Sequence, residues 1–94
     1  MNKKRHHELK MWPEYFRLLV DDVKLSDIRV DDRDIQDGDT VCFREFFQVG
    51  GGFTGNEVMT FATRVLRGGA IPKGYVFICL RKLSSSIDES YFKT

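Results

Sequence analysis

The chain has 94 residues, 41% of them apolar and 13% aromatic, which fits one compact domain near the lower end of sizes that fold unaided. Fifteen basic and fourteen acidic side chains give a formal charge of +1, which excludes strong non-specific binding of polyanions unless the charges are segregated. Without a long apolar run or a signal peptide, the sequence predicts a soluble, cytoplasmic protein that does not bind a membrane.

The first predicted elements are a strand and a helix. Residues 7–11 alternate in polarity as a half-buried strand does. Pro13 begins the helix, because proline is tolerated in the first turn. Five apolar residues recur at helical spacing and predict the core face of this helix: Trp12, Phe16, Leu19, Val20 and Val23.

Four further strands are predicted from apolar, β-branched and aromatic runs, at residues 25–30, 40–47, 56–66 and 75–80. Three consecutive glycines at 50–52 indicate the tip of a hairpin between the second and third of these strands. Residues 84–94 are polar and serine-rich, which predicts a loosely held C-terminal tail. One helix and about five strands favour an α+β, mostly β fold, a small barrel with the helix packed against its opening.

The two cysteines, Cys42 and Cys79, fall inside predicted strands. Without short-range spacing they are typical of small core residues in a reduced cytosolic protein, and a single disulfide is the alternative. His6 and His7 point to opposite faces of a strand, and no cysteine or further histidine stands at ligand spacing. We therefore expect no metal and no other cofactor.

Charge is unevenly distributed along the chain. Three of the first five residues are basic and define a basic N-terminal tail over residues 1–6, whereas eight aspartates crowd residues 21–39. If the strand at 25–30 runs extended, Asp27 and Arg29 share one face with Asp31, while Ile28 and Val30 point into the core. A charged row on a rigid strand, close to Lys24 and a helix end, indicates a recognition site.

Several motifs follow one another in an order that resembles an uncharacterised bacterial and phage branch of the ASCH domains. They are His7-Glu8-Leu9-Lys10, Trp12-Pro13-Glu14-Tyr15-Phe16, Lys24-x-x-Asp27-Ile28-Arg29, Asp31-Asp32-Arg33-Asp34, Gly38-Asp39, Arg44-Glu45, Phe53-Thr54-Gly55 and Gly74-Tyr75-Val76. The resemblance covers about residues 7–83. It implies a PUA-like β-barrel whose signature, glycine-x-lysine-x-x-glutamate-x-arginine, lines a cleft proposed to bind RNA or a nucleoside.

This sequence departs from the family pattern at two positions. Asp22 stands where the signature has glycine, and Asp27 stands where it has the longer glutamate. A few relatives are amidohydrolases that deacylate a modified cytidine with a lysine and a threonine three residues later. Lys24 matches that lysine, but Asp27 replaces the threonine. A small amidohydrolase acting on an acylated nucleoside is therefore the least favoured activity, and no catalytic residue is assigned.

The resemblance implies that Lys24 and Arg29 contact phosphate or base, while Asp27 accepts a hydrogen bond from a base edge or orients Arg29. Arg33 and Arg44 have guanidinium groups that can extend a basic rim, since a guanidinium donates two parallel hydrogen bonds to a phosphate or a guanine edge.

Each of these cations also has a structural alternative. Arg29 would then be an ion-paired strand arginine, Lys24 a solvated loop lysine, and Arg33 and Arg44 partners that neutralise the aspartates.

Tyr15 and Tyr75 are the candidates for stacking on a base, because a phenol can keep its hydroxyl near solvent. The sequence thus predicts a monomeric RNA- or modified-nucleotide-binding module with its cleft between the helix and the barrel. The aspartate-dense stretch favours an alternative from another class: a phage-encoded protein that binds and inhibits a host nuclease or defence complex, since clustered carboxylates can occupy a surface meant for nucleic acid.

Overall fold

A single helix and five strands succeed one another along the chain in a computed structural model that describes residues 4–92. The elements are β1 (His6–Met11), α1 (Pro13–Val20), β2 (Ser26–Val30), β3 (Thr40–Phe47), β4 (Gly52–Leu66), β5 (Tyr75–Ser86) and a short 3₁₀ helix (Glu89–Phe92). The predicted bounds of β3 are confirmed. β4 and β5 are longer than predicted, because residues 52–55 extend β4 alongside β3 and the polar residues that follow Leu80 extend β5 alongside β4.

The five strands form one sheet in the order β1-β3-β4-β5-β2. β1 pairs with β3 in parallel, and every other neighbouring pair is antiparallel. The sheet curls into a half-barrel, and its two edge strands, β1 and β2, are far apart in sheet order. The prediction of a small, mostly β, barrel-like α+β fold is confirmed at this level.

The core lies inside the curl and under the helix. Its largest fully buried apolar side chains come from α1, the sheet and the loop that follows β2: Phe16, Leu19, Ile35, Val41, Phe43, Val58, Val76 and Ile78. Burial of such side chains supplies the main favourable free energy of folding. Because the sheet curls around this core, packing of the core sets the positions of the edge strands β1 and β2.

α1 begins at Pro13 as expected but ends at Val20, three residues earlier than the stripe predicts. Asp22 has a φ of 59°, in the left-handed region that terminates helices. The amides of Val23 and Lys24 then both donate to the carbonyl of Leu18, at 2.8 and 3.0 Å. Because the chain turns here, Val23 is 67% exposed, so its assignment to the core face is wrong.

Trp12 also lies outside the core, with 45% of its surface exposed. It precedes the helix with an extended ψ of 152°, so it does not continue the buried row of Phe16 and Leu19. The predicted core face is therefore confirmed for Phe16, Leu19 and Val20 and wrong for Trp12.

β2 alternates with the expected period but with the opposite phase. Ile28 and Val30 are 51% and 54% exposed, whereas Asp27 is buried at 8%. The prediction that Ile28 and Val30 enter the core is wrong. A carboxylate can take the inward position because two cations neutralise it, as described below.

The C-terminal segment is not a loosely held tail over the residues that the structure describes. β5 continues to Ser86, which pairs with Glu57 of β4. The amide of Asp88 then donates to Oδ1 of Asn56 at 2.8 Å, and the Tyr91 ring packs edge-on against Phe16 with 6.2 Å between centroids. Aromatic packing and strand pairing outweigh the polar composition of this segment.

The buried carboxylate of Asp39 connects the first residues of the described chain to the loop before β3. Asp39 is 1% exposed, and it accepts hydrogen bonds from the amides of Arg5 and Gln36 at 3.1 and 2.9 Å and shares one with His7 Nε2 at 2.9 Å. Burial by itself raises the pKa of Asp39, but these hydrogen bonds outweigh it, so the pKa lies below the usual 3.8. The ionised carboxylate therefore stabilises the fold.

We predict that Asp39→Asn lowers the free energy of unfolding at pH 7 by about 2 kcal/mol. The asparagine NH₂ group would face backbone N–H groups that now donate to a carboxylate oxygen. Since the folded pKa of Asp39 is depressed, its stabilisation is complete above pH 3.8 and is lost as the pH falls through the folded pKa. Chemical denaturation from pH 7 down to pH 3 should show a shallower loss of stability in the variant.

Asp32→Asn is the matched control, because the Asp32 side chain is 64% exposed and lies 3.7 Å from Arg33. Its effect should stay within about 0.5 kcal/mol. Equal effects of the two substitutions would contradict the anchoring role of Asp39.

Candidate functional site

The two edge strands of the sheet face each other across a gap, which we call the seam. Arg29 on β2 spans it: its Nη2 donates to the backbone carbonyl of Lys10 on β1 at 3.3 Å. Its guanidinium also lies 5.5 Å from the centroid of the buried Phe43 ring. The half-barrel is thus bridged at the seam by a side chain rather than by a ladder of backbone hydrogen bonds between β1 and β2.

Asp27 holds this bridge in place. Its Oδ2 accepts from Arg29 Nε at 2.6 Å, and its Oδ1 lies 3.2 Å from Lys24 Nζ. The side chains of Asp27, Lys24 and Arg29 are 10%, 19% and 25% exposed. Each oxygen of the carboxylate has its own cation, and the trio keeps one net positive charge. Lys24 and Arg29 each retain further N–H groups that Asp27 does not use.

A cleft runs along the seam and has two parts. The first, which we call the helix-side compartment, has a volume of about 400 Å³ and lies between α1 and the seam. The Lys24, Asp27 and Arg29 trio forms one wall and Trp12 and Tyr15 another. The two aromatic rings are 6.5 Å apart with 30° between their planes, and they are 45% and 49% exposed. This compartment therefore offers hydrogen-bond donors beside flat aromatic surfaces.

The second part, the sheet-side compartment, has a volume of about 520 Å³. Its cations are Lys10, Arg29, Arg33 and Arg44, and its carboxylates are Glu8 and Asp32. Lys10 and Arg29 line both compartments, so the two are contiguous. Together they contain five cations and three carboxylates, an excess of two positive charges in a chain whose net charge is only +1.

Six of the seven residues that the sequence assigns to the site line this cleft. The helix-side compartment brings together Tyr15, Lys24, Asp27 and Arg29, and the sheet-side compartment adds Arg33 and Arg44. Tyr75 lines neither compartment. It is the first residue of β5, 43% exposed, and pairs with Val30 at the end of β2.

Lys10 and Trp12 line the cleft although neither is among the seven predicted site residues. Its helical spacing predicts that Trp12 lies in the core, but the extended backbone of Trp12 itself, just before Pro13, leaves it 45% exposed. Lys10 belongs to the outward-facing row of β1, and nothing in the sequence places β1 beside β2. The approach of these two strands is a consequence of the curl, so no local signal identifies Lys10 as a site residue.

The two cysteines lie in β3 and β5 and line neither compartment. Cys42 and Cys79 are both free thiols. Burial, followed by the nearby Glu57 and Glu8, raises the pKa of the Cys42 thiol to about 11, which keeps it protonated at neutral pH. Within residues 4–92 no three histidine, cysteine, aspartate or glutamate side chains are grouped so that they could hold a metal ion.

We predict that Arg29→Lys lowers the free energy of unfolding by about 1 kcal/mol, because one ammonium group cannot replace both the pair with Asp27 and the bond to the Lys10 carbonyl. Arg81→Lys is a matched control, since Arg81 is also a strand arginine, 5.2 Å from the Phe61 ring. Urea unfolding should show a change below about 0.5 kcal/mol for the control. A loss as large in the control as in Arg29→Lys would contradict a bridging role.

No helix in residues 4–92 has both the length and the apolar character to span a membrane.

Comparison with known proteins identifies one family. No curated protein matches the chain. Residues 6–80 match a family described as a domain of unknown function, DUF3850, and this span includes the whole seam, both edge strands and every described residue that lines the cleft. The chain therefore belongs to the DUF3850 family.

Proposed function

We propose that this protein binds single-stranded RNA or a modified nucleotide in the cleft along the seam. The observation that carries this proposal is the excess of two positive charges in the cleft of a nearly neutral chain. Such segregation attracts an anion to one place rather than to the whole surface. Exposed aromatic rings beside those cations favour a ligand that has both a flat base and a phosphate.

The resemblance to ASCH domains supports the same proposal. The lysine, acidic residue and arginine of the signature correspond to Lys24, Asp27 and Arg29, which meet in one cluster. The glycine of the signature corresponds to Asp22, whose φ of 59° is a conformation that glycine adopts without strain. We therefore infer that the half-barrel is PUA-like and that the chain is a member of an ASCH-related branch.

The chemistry of the trio narrows the role of each residue. Because both oxygens of Asp27 already have cationic partners, Asp27 acts as a positioning residue and leaves base recognition to the unused donors of Lys24 and Arg29. Two donors side by side match two acceptors on a base edge, as guanine O6 and N7 provide. Tyr15 and Trp12 supply the stacking surface.

We predict that Lys24→Gln together with Arg29→Gln weakens the binding of a short single-stranded RNA at least tenfold, about 1.4 kcal/mol, because both donors to the ligand are removed. Fluorescence anisotropy at fixed salt measures the affinity, and circular dichroism verifies the fold. Lys73→Gln with Arg81→Gln removes the same two charges outside the cleft and should change the affinity less than twofold. Equal loss in the two double variants would remove the site.

We further expect guanosine-containing RNA to bind more tightly than an adenosine-containing RNA of equal length, by about fivefold to tenfold, since adenine presents a donor where guanine presents O6. Competition of the two RNAs for one labelled strand gives the ratio directly. If the two compete equally, the two donors do not recognise a base edge.

The alternative of a protein that inhibits a host nuclease or defence complex depends on carboxylates that are free to imitate a phosphate backbone. Seven of the eight aspartates between positions 21 and 39 instead lie 2.5 to 3.7 Å from a lysine or arginine nitrogen, and the eighth, Asp39, is buried beside His7. The negative charge on which this alternative depends is thus largely neutralised. For an amidohydrolase, Asp27 is held by two cations at the position where a hydroxyl nucleophile would be needed.

A further inference from the structure

The cations of the two compartments are held in different ways. In the helix-side compartment Lys24 and Arg29 are both paired with Asp27. In the sheet-side compartment Arg44 lies over the Phe53 ring, 4.1 Å from its centroid, and Lys10 lies 4.5 Å from the centroid of Phe46. A ring face orients a cation without occupying its N–H groups, which remain available to a ligand.

Carboxylates compete only weakly for these two ring-held cations. Arg44 Nε lies 3.8 Å from Glu57 Oε2, longer than a hydrogen bond, and in residues 4–92 no carboxylate lies within 4 Å of Lys10 Nζ. Arg33 lies at the rim, 3.7 Å from Asp32 and half-exposed. Arg29 is already paired with Asp27, so the sheet-side compartment keeps three further cations, Lys10, Arg33 and Arg44, against two carboxylates, an excess that favours a phosphate group.

The aromatic rings of the two compartments also differ, because only those on the sheet side have a cation over them. Phe53 and Phe46 contact each other edge to face, 5.0 Å between centroids, and both have a cation over the ring. Phe53 is 46% exposed, but the guanidinium of Arg44 covers a face of its ring, which is where a base would stack. Trp12 and Tyr15 on the helix side are half-exposed, and no lysine or arginine within residues 4–92 lies over either ring.

From this division we infer a binding polarity, which rests on the proposed function. A nucleotide lies across the two compartments, with its base against Trp12 and Tyr15 on the helix side and its phosphate between Lys10 and Arg44 on the sheet side. Arg29 lines both compartments and lies where the sugar joins them. The ligand is therefore a phosphorylated nucleoside, either free or as one unit of an RNA strand, rather than a bare nucleoside.

The volumes are compatible with this arrangement. About 400 and 520 Å³ each fall within the range of sites that enclose small molecules. Because Lys10 and Arg29 line both compartments, the two adjoin at these residues, and one ligand that passes over Arg29 can contact both. Lys10 and Arg44 thus become the residues that select for phosphate, and they lie outside the Lys24, Asp27 and Arg29 trio.

Calorimetric titration with guanosine, guanosine 5′-monophosphate and a short RNA tests the inference. We expect wild-type protein to bind the monophosphate at least tenfold more tightly than guanosine. Lys10→Gln with Arg44→Gln should erase that ratio, because the loss of affinity falls mainly on the monophosphate. Lys73→Gln with Arg81→Gln, which removes two charges outside the cleft, should keep the ratio, and Arg44→Lys should restore part of it because the charge returns.

The outcomes separate this inference from the proposed function. If the monophosphate and guanosine bind wild type equally, and the RNA requires Lys24 and Arg29 but not Lys10 and Arg44, the polarity is wrong and the proposed function stands. If none of the three ligands binds, both fall. If only the RNA responds to loss of Lys10 and Arg44, the phosphate belongs to a strand, and a response of the free monophosphate identifies a free nucleotide as sufficient; either response supports the inference.

Discussion

The seam depends on one buried carboxylate. Asp27 lies on an edge strand, and its removal from water costs free energy that only close, well-oriented cations recover. Arg29 and Lys24 provide this compensation at 2.6 and 3.2 Å, and in return the carboxylate fixes their orientation. Arg29 can then reach the carbonyl of Lys10 and connect the two edges of a sheet that has no ladder between them. The same contacts form the wall that the two compartments share.

A nearly neutral protein can still present a local anion site when its carboxylates are engaged elsewhere. The aspartates of residues 21–39 each have a basic partner, and several of these pairs connect distant parts of the chain, as Asp31 does with Arg67. Surface pairs of this kind add little stability individually. Together, however, these pairs keep the aspartates away from the cations of the cleft. Lys10 and Arg44 lie over aromatic rings instead and keep their donors available.

The sequence predicts much of the fold because its elements have a local cause. Alternation and β-branched content predict β1 and β3, and Pro13 predicts the start of α1. The end of α1 depends on the left-handed backbone of Asp22, and an aspartate in the sequence does not by itself predict that conformation. The phase of β2 could not be read from its residues, since the burial of Asp27 depends on Lys24 and Arg29 in three dimensions. Lys10 could not be predicted as a site residue either, because the curl of the sheet, not the local sequence, brings β1 close to β2.

The most direct test of the seam as the binding site is to map ¹⁵N chemical shifts on addition of a short single-stranded RNA, following the side-chain Nε–Hε signals of Arg29 and Arg81 along with the backbone amides. We expect the largest changes at Arg29 Nε, along β1 and β2, and at Trp12 and Tyr15, with Arg81 Nε unmoved. Changes concentrated on β4, β5 and the 3₁₀ helix, with an unmoved Arg29 Nε, would contradict a ligand site at the seam.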